Sequence, residues 1–184
     1  MMRLLSLAAA ATALALAGCS FHPLYGTIGS NPGAQVMFGS IYVPPIELEN
    51  AGYELRNDLA DVMQAKVQPD ATTLYELQVT LTDRRQPIAI QNVEVPVGPA
   101  TTLKEVDITR YNYTLTAKYQ LVDRKTQKVL TKGTESSLSA YDVAASPYAT
   151  LVAQQDVQAR TAQDIADHLR TRIGIYFAQA AGTK

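Results

Sequence analysis

The chain has 184 residues, 47% of them hydrophobic and 18% charged, with a formal net charge of −1. That length suits one domain with a real core, and the near-zero charge argues against holding nucleic acid by bulk electrostatics. One Cys and two His, Cys19, His22 and His168, exclude an internal disulfide and leave little for a metal centre.

Residues 1–18 carry one charge, Arg3, and 14 of the 18 are apolar. A short basic start followed by about 13 apolar residues reads as a secretory signal peptide. It falls short of the ~20 apolar residues that a helix needs to span a bilayer. It ends in Leu16-Ala17-Gly18-Cys19, which resembles the bacterial lipobox. Cleavage before Cys19 is expected, with a diacylglycerol on its thiol and a further acyl chain on the freed amine. Each buried CH₂ adds about 0.8 kcal/mol, so several chains anchor far more firmly than one. Ser20, where an Asp would hold such a protein at the inner membrane, favours the outer membrane in the sorting pattern this resembles. The expected organisation is a signal peptide over 1–18, a lipidated tether over 19–35 and a single domain over 36–184. The tether reading rests on Pro23, Gly26, Gly29, Asn31, Pro32 and Gly33, residues that favour open chain.

Val36–Val43 reads as a first strand, closed by Pro44-Pro45. Leu55, Leu59, Val62 and Met63 recur at helical spacing from Asn50 onward, and Glu54, Arg56, Asp58, Asp61 and Lys66 fill the opposite face. Period two then takes over. Tyr75, Leu77, Val79 and Leu81 alternate with polar residues, and Tyr111, Tyr113, Leu115, Ala117, Tyr119 and Leu121 do the same. Such alternation belongs to antiparallel strands with one covered face. Residues 86–106, with Pro87, Pro96, Gly98 and Pro99, read as a long loop. Asp123-Arg124-Lys125-Thr126 predicts a hairpin turn into a strand over 129–141, with Gly133 marking a bulge or bend. Ser146-Pro147 starts a helix running to about Gln179, with a stripe of Leu151, Ala159, Ala162, Ile165, Ala166, Leu169, Ile173 and Tyr176. The expected fold is α+β, a two-layer sandwich of two helices on one face of a four-stranded, mainly antiparallel sheet, in the order β-α-β-β-β-α.

No nucleophile elbow, paired-His motif or phosphate-cradling Gly loop occurs. His168 adjoins Asp167, but neighbours in a helix do not face each other. The reading is a non-enzyme with no catalytic residues, no metal and no cofactor beyond acyl chains on Cys19. Charge is unevenly placed: net −6 over 19–83, +5 over 84–132 and −1 over 135–184. Arg110 and Lys118 fall on the polar strand face with Asn112, Thr114, Thr116 and Gln120. A face of this kind suits an anionic headgroup, an acidic partner wall or the polar lumen of a membrane β-barrel.

The stretches Cys19-Ser20-Phe21-His22-Pro23-Leu24-Tyr25-Gly26, Leu55-Arg56-Asn57-Asp58-Leu59, Tyr75-Glu76-Leu77, Thr109-Arg110, Tyr119-Gln120-Leu121-Val122-Asp123, Tyr141 and Ser146-Pro147-Tyr148-Ala149 resemble the lipopolysaccharide-assembly lipoprotein family LptE in its alphaproteobacterial form. The resemblance implies an outer-membrane lipoprotein that plugs the β-barrel protein LptD, assists its assembly and binds lipopolysaccharide on its way to the outer leaflet. Basic residues near the long strand–strand connection contact lipopolysaccharide in the family, which carries over by position to Arg84, Arg85, Lys104 and Arg110. A second basic site near the start of the last helix has no match, because 147–159 contains no Lys or Arg. Two other expectations compete: an auxiliary lipoprotein of an envelope lipid-transport ATPase system, and a cell-wall or lipid hydrolase, which the missing catalytic constellation disfavours.

Overall fold

The computed structural model describes residues 37–99 and 101–182. The expected signal peptide, Cys19 and the tether over 19–35 lie outside the described residues. The elements are β1 (Ile41–Tyr42), α1 (Glu49–Met63), β2 (Tyr75–Gly98), β3 (Thr101–Asp123), β4 (Val129–Asp142) and α2 (Pro147–Gly182). The sheet order is β1-β2-β3-β4, with β1 parallel to β2 and the other pairs antiparallel. This is the α+β order expected from the alternating periods.

The first strand is far shorter than 36–43. Residues 37–40 form a turn in which the Ser40 hydroxyl and N–H both donate to the Met37 carbonyl, at 2.6 and 3.2 Å. Only Ile41 and Tyr42 then reach β2, pairing with Tyr75 and Glu76. α1 buries Ala51, Gly52, Leu55, Leu59 and Met63, and Val62 packs at the margin of the core. It ends at Gln64, which takes a left-handed conformation. Beyond this stop Lys66 bridges to β1, its N–H donating to the Ile41 carbonyl at 2.8 Å. Arg56 is not simply solvated, because its guanidinium donates to the carbonyls of Val43 and Val67 at 3.2 and 2.5 Å. One side chain therefore ties the end of β1 and the segment that bridges to it at Lys66 to the helix.

Both helices lie on one face of the sheet. Leu77 and Leu81 from β2, Tyr113, Leu115, Ala117, Tyr119 and Leu121 from β3, and Tyr141 from β4 point into that layer. α2 answers with Val157, Ala162, Ile165, Ala166, Leu169, Ile173 and Phe177. The buried stripe thus begins at Val157, nearly two turns after the expected Leu151, which is exposed. β4 ends at Asp142, and the first turns of α2 run past the covered part of the sheet. Phe177 closes the opposite end, in ring contact with Phe38, Tyr75 and Tyr176. Thr161 is fully buried on α2, but its hydroxyl donates to the Val157 carbonyl at 2.8 Å, so this buried hydroxyl is satisfied.

Two local expectations fail. Residues 86–106 are not a loop: β2 and β3 continue as a two-stranded antiparallel ribbon almost to its tip. Pro87 and Pro96 suggested a break because proline cannot donate to a ladder. β1 covers only Tyr75 and Glu76, so the outer edge of β2 is open from Leu77 onward, and prolines are tolerated on an edge strand. The register shifts fall beside them, between Pro87 and Ala89 and between Pro96 and Gly98. Nor does Gly133 mark a bulge. It pairs regularly with Tyr119, and the irregularity lies between Leu121 and Val122. Its role is space: a Cβ there would meet the Tyr119 ring at 2.9 Å.

The Asp123 turn forms as expected. Its carboxylate accepts from the N–H groups of Thr126 and Lys125 at 2.7 and 3.0 Å. Those bonds hold its pKa below the ordinary carboxylate range, Thr126 contributing most.

Candidate functional site

The sheet face away from the helices is uncovered. Read through the strand register, Gln78, Gln120 and Lys132 form one row across it, and Thr80, Lys118 and Thr134 form the next. Thr82, Thr116 and Ser136 make a third row, and Arg84, Thr114 and Leu138 a fourth. Successive residues alternate between faces, so the same strands that bury Leu77, Leu115 and Leu121 present hydroxyls, amides and cations on the other side. At one end Gln120 Nε2 donates to Gln78 Oε1 at 2.5 Å, and Gln78 Nε2 donates to Glu76 Oε1 at 2.7 Å. A shallow hollow of about 350 Å³ lies there, with Pro44, Gln78, Thr80, Lys118, Gln120 and Lys132 in its lining.

The four cations expected to contact lipopolysaccharide are not gathered into one patch. Arg84 and Arg85 are sequence neighbours and point to opposite faces. Arg84 joins the open face, whereas Arg85 pairs in register with Tyr113 on the helix side and lies 3.9 Å from Asp83. Arg110 sits where β4 ends, its guanidinium 3.5 Å from the Asp142 carboxylate. Lys104 lies opposite Glu94, six residues further along β3, or roughly 20 Å at strand rise.

Past Arg110 the ribbon has no third strand, because Asp142 is the last β4 residue to pair with it. This arm holds Glu94, Glu105 and Asp107 against the single cation Lys104, so it is net acidic within the zone the sequence marked as basic. Its exposed side chains include Ile90, Val93, Val97, Leu103 and Val106. The first turns of α2, on the same side of the molecule's middle, expose Tyr148, Leu151 and Val152, and no charge occurs from Val143 to Gln155.

Where the arm meets the body, Tyr113 is buried and its hydroxyl has no hydrogen-bond partner among the described residues. Asp83 and Gln158 are close, but neither is in bonding geometry. Burial, reinforced by the Asp83 charge, pushes the phenol up to about 12. It stays neutral in any physiological medium and serves as packing.

His168 is half exposed on α2 and faces a strand residue rather than its neighbour Asp167. Its Nδ1 is 3.9 Å from Glu135 Oε2, and Arg172 Nε donates to Glu135 Oε1 at 2.7 Å. Ser137 donates to Asp164 at 2.8 Å one step along β4. These polar contacts pin the helix to the sheet. Among the described residues no three His, Cys, Asp or Glu side chains are grouped to hold a metal, and no described helix is long and apolar enough to cross a membrane.

Charge counting along the sequence missed that Lys118 and Lys132 are diagonal neighbours on the open face. They are 14 residues apart, and only the register of β3 with β4 makes them neighbours. The alternation in each strand was the available signal; the missing quantity was which residue of one strand faces which of the next.

Comparison with known proteins bears on this architecture. No curated protein matches the chain. Among solved structures, a protein of Caulobacter crescentus CB15 described as a lipoprotein is 26% identical, with a TM-score of 0.59, covering 79% of this chain and 96% of that one. The minor lipoprotein of Acinetobacter baumannii is 18% identical, with a TM-score of 0.45 and coverages of 74% and 93%. The rare lipoprotein B of Shewanella oneidensis is 9% identical, with a TM-score of 0.48 and coverages of 78% and 99%. The family model LptE, described as lipopolysaccharide-assembly, matches residues 38–173. That match runs from Phe38, the first buried side chain of the described core, to Ile173 on the buried stripe of α2, so the chain belongs to the LptE lipopolysaccharide-assembly family.

Proposed function

We propose that this family member is an outer-membrane lipoprotein, anchored by acyl chains on Cys19, that seats in the lumen of an LptD-type β-barrel, assists the barrel's assembly and binds lipopolysaccharide in transit. The observation that carries the reading is the open sheet face. A sheet covered by helices on one side normally leaves a solvated polar face on the other. Here that face combines short hydroxyl and amide side chains with four cations, Arg84, Arg110, Lys118 and Lys132, against two carboxylates, Glu76 and Asp142, which leaves it net positive. Side chains of that size lie flat against another wall, and the lumen of a membrane barrel is polar. The projecting arm supports the same reading, since a two-stranded ribbon is marginal on its own and gains from a partner along its exposed aliphatic residues.

No group in the protein is proposed to perform covalent chemistry, and no cofactor is proposed besides the acyl chains. The lipopolysaccharide contacts are Arg84 and Arg110 at the edge of the open face, with Lys104 on the arm and Arg85 on the helix side of the same region.

The experiment is affinity isolation of the full lipidated chain from detergent-solubilised envelopes, followed by mass spectrometry. Recovery of a large outer-membrane barrel is expected. Isolation of inner-membrane transport ATPase components without any barrel protein would instead favour the auxiliary-lipoprotein reading, and a Cys19→Ala chain that still sediments with outer membranes would remove the anchor.

A further inference from the structure

Lys118 and Lys132 sit diagonally on the open face, because Lys118 pairs with Thr134 while Gln120 pairs with Lys132. Diagonal neighbours on one face of an antiparallel pair lie roughly 7 Å apart. Both are exposed, and neither is in an ion pair among the described residues. Every other member of the hollow's lining is neutral. Two like charges at diagonal positions with no counter-charge between them make a local positive spot that attracts an anion from outside. The nearest open-face carboxylate, Glu76, is already engaged by the Gln78 amide. The Gln and Thr side chains around the pair add donors and acceptors at fixed positions on a rigid sheet.

We propose that Lys118 and Lys132 form the electrostatic anchor of the protein–protein interface, receiving carboxylate side chains from the inner wall of the barrel partner. The proposal rests on the reading that the open face seats against such a wall. A protein wall is favoured over a small anion because the hollow is wide and shallow and neither ammonium is buried. Such a pair sets the orientation of docking as well as its strength, since like charges placed opposite reject a wrong register. It also divides the labour of the cations: Lys118 and Lys132 hold the partner, leaving Arg84 and Arg110, nearer the arm, for lipopolysaccharide.

The test uses the full lipidated chain carrying Lys118→Glu and Lys132→Glu together, compared with Lys118→Gln and Lys132→Gln together. Both side chains are exposed, so retention of a single cooperative thermal unfolding transition in both variants serves as the folding control. The charge reversal is expected to lower barrel recovery by about tenfold and the neutral pair by about threefold. Raising salt is expected to weaken recovery of the unsubstituted chain more than that of the neutral pair. A photoreactive residue at Thr134 is expected to crosslink to a barrel segment bearing Asp or Glu. Binding of purified lipopolysaccharide is expected to be unchanged in both variants. Equal barrel recovery from all three chains overturns the proposal and leaves the functional reading standing. Lost lipopolysaccharide binding with intact barrel recovery also overturns it, and assigns the pair to a phosphate-bearing glycolipid. Absence of any barrel with the unsubstituted chain overturns both this proposal and the functional reading.

Discussion

β2 and β3 live two different lives along their length. From Tyr75 to Arg85 and from Tyr113 to Asp123 they lie in the body, with Leu77, Leu115, Ala117 and Leu121 at 0% exposure beneath the helices. From Ile90 to Ile108 the same two strands, still paired in antiparallel register, leave Val93, Leu103 and Val106 at 42, 58 and 61% exposure. Backbone pairing is alike in both halves, and what differs is the cover. β-structure needs only strand partners, whereas burial needs a second layer, and α1, α2 and β4 supply it to the lower half alone.

The largest effects expected from this contrast come from the body. Leu115→Ala or Leu169→Ala removes a fully buried side chain and should cost about 2–5 kcal/mol in chemical denaturation. Val106→Ala on the arm should cost under about 0.5 kcal/mol in the isolated protein. Similar losses at the two sites would break the comparison. Gly52→Ala should come next, at about 2–3 kcal/mol, because its Cβ would lie 2.4 Å from the Ile46 carbonyl oxygen and the backbone would have to move. Gly133→Ala should cost less, about 1–2 kcal/mol, since the obstruction is the Tyr119 side chain rather than backbone. Amide exchange sharpens the same contrast without substitution. Protection should be high for Leu77 and Leu115 and low along 90–108 in the free protein, and binding of the barrel partner should raise it on the arm.

The smallest expected effect concerns charge on the covered side. Asp58 on α1 has its pKa pushed up, first by burial and then by the nearby charges of Glu54, Asp61 and Asp167. A carboxyl whose folded pKa is raised stabilises the fold while protonated and loses that contribution as pH rises through the folded value. Asp58→Asn should therefore raise the Tm modestly at neutral pH, with the gain vanishing in acid below the ordinary carboxylate range. A gain that persists unchanged at low pH would point to a cause other than charge.

Much of the body was legible from the chain. Leu55, Leu59 and Met63 at helical spacing and Leu77, Leu115 and Leu121 at strand spacing name their own buried faces, because periodicity and solvent exclusion are linked locally. The arm was not legible. Pro87, Pro96 and Gly98 argued for a loop, and their tolerance depends on β2 being an edge strand, which follows from β1 stopping at Tyr42. The candidate site was half legible. Alternation assigned Arg110, Lys118, Thr114 and Thr116 to the polar face, but Arg84 and Arg85 were grouped as neighbours although the pleat separates them.

By itself, the sequence determined the α+β order, the buried stripes and the family, since each is written in local spacing or residue order. Only the tertiary structure decided that β2 and β3 outrun their cover, that Lys118 meets Lys132, and that Arg84 parts from Arg85. Those outcomes depend on register and layer boundaries, which are set by contacts between segments distant in the chain and leave no mark in any one of them.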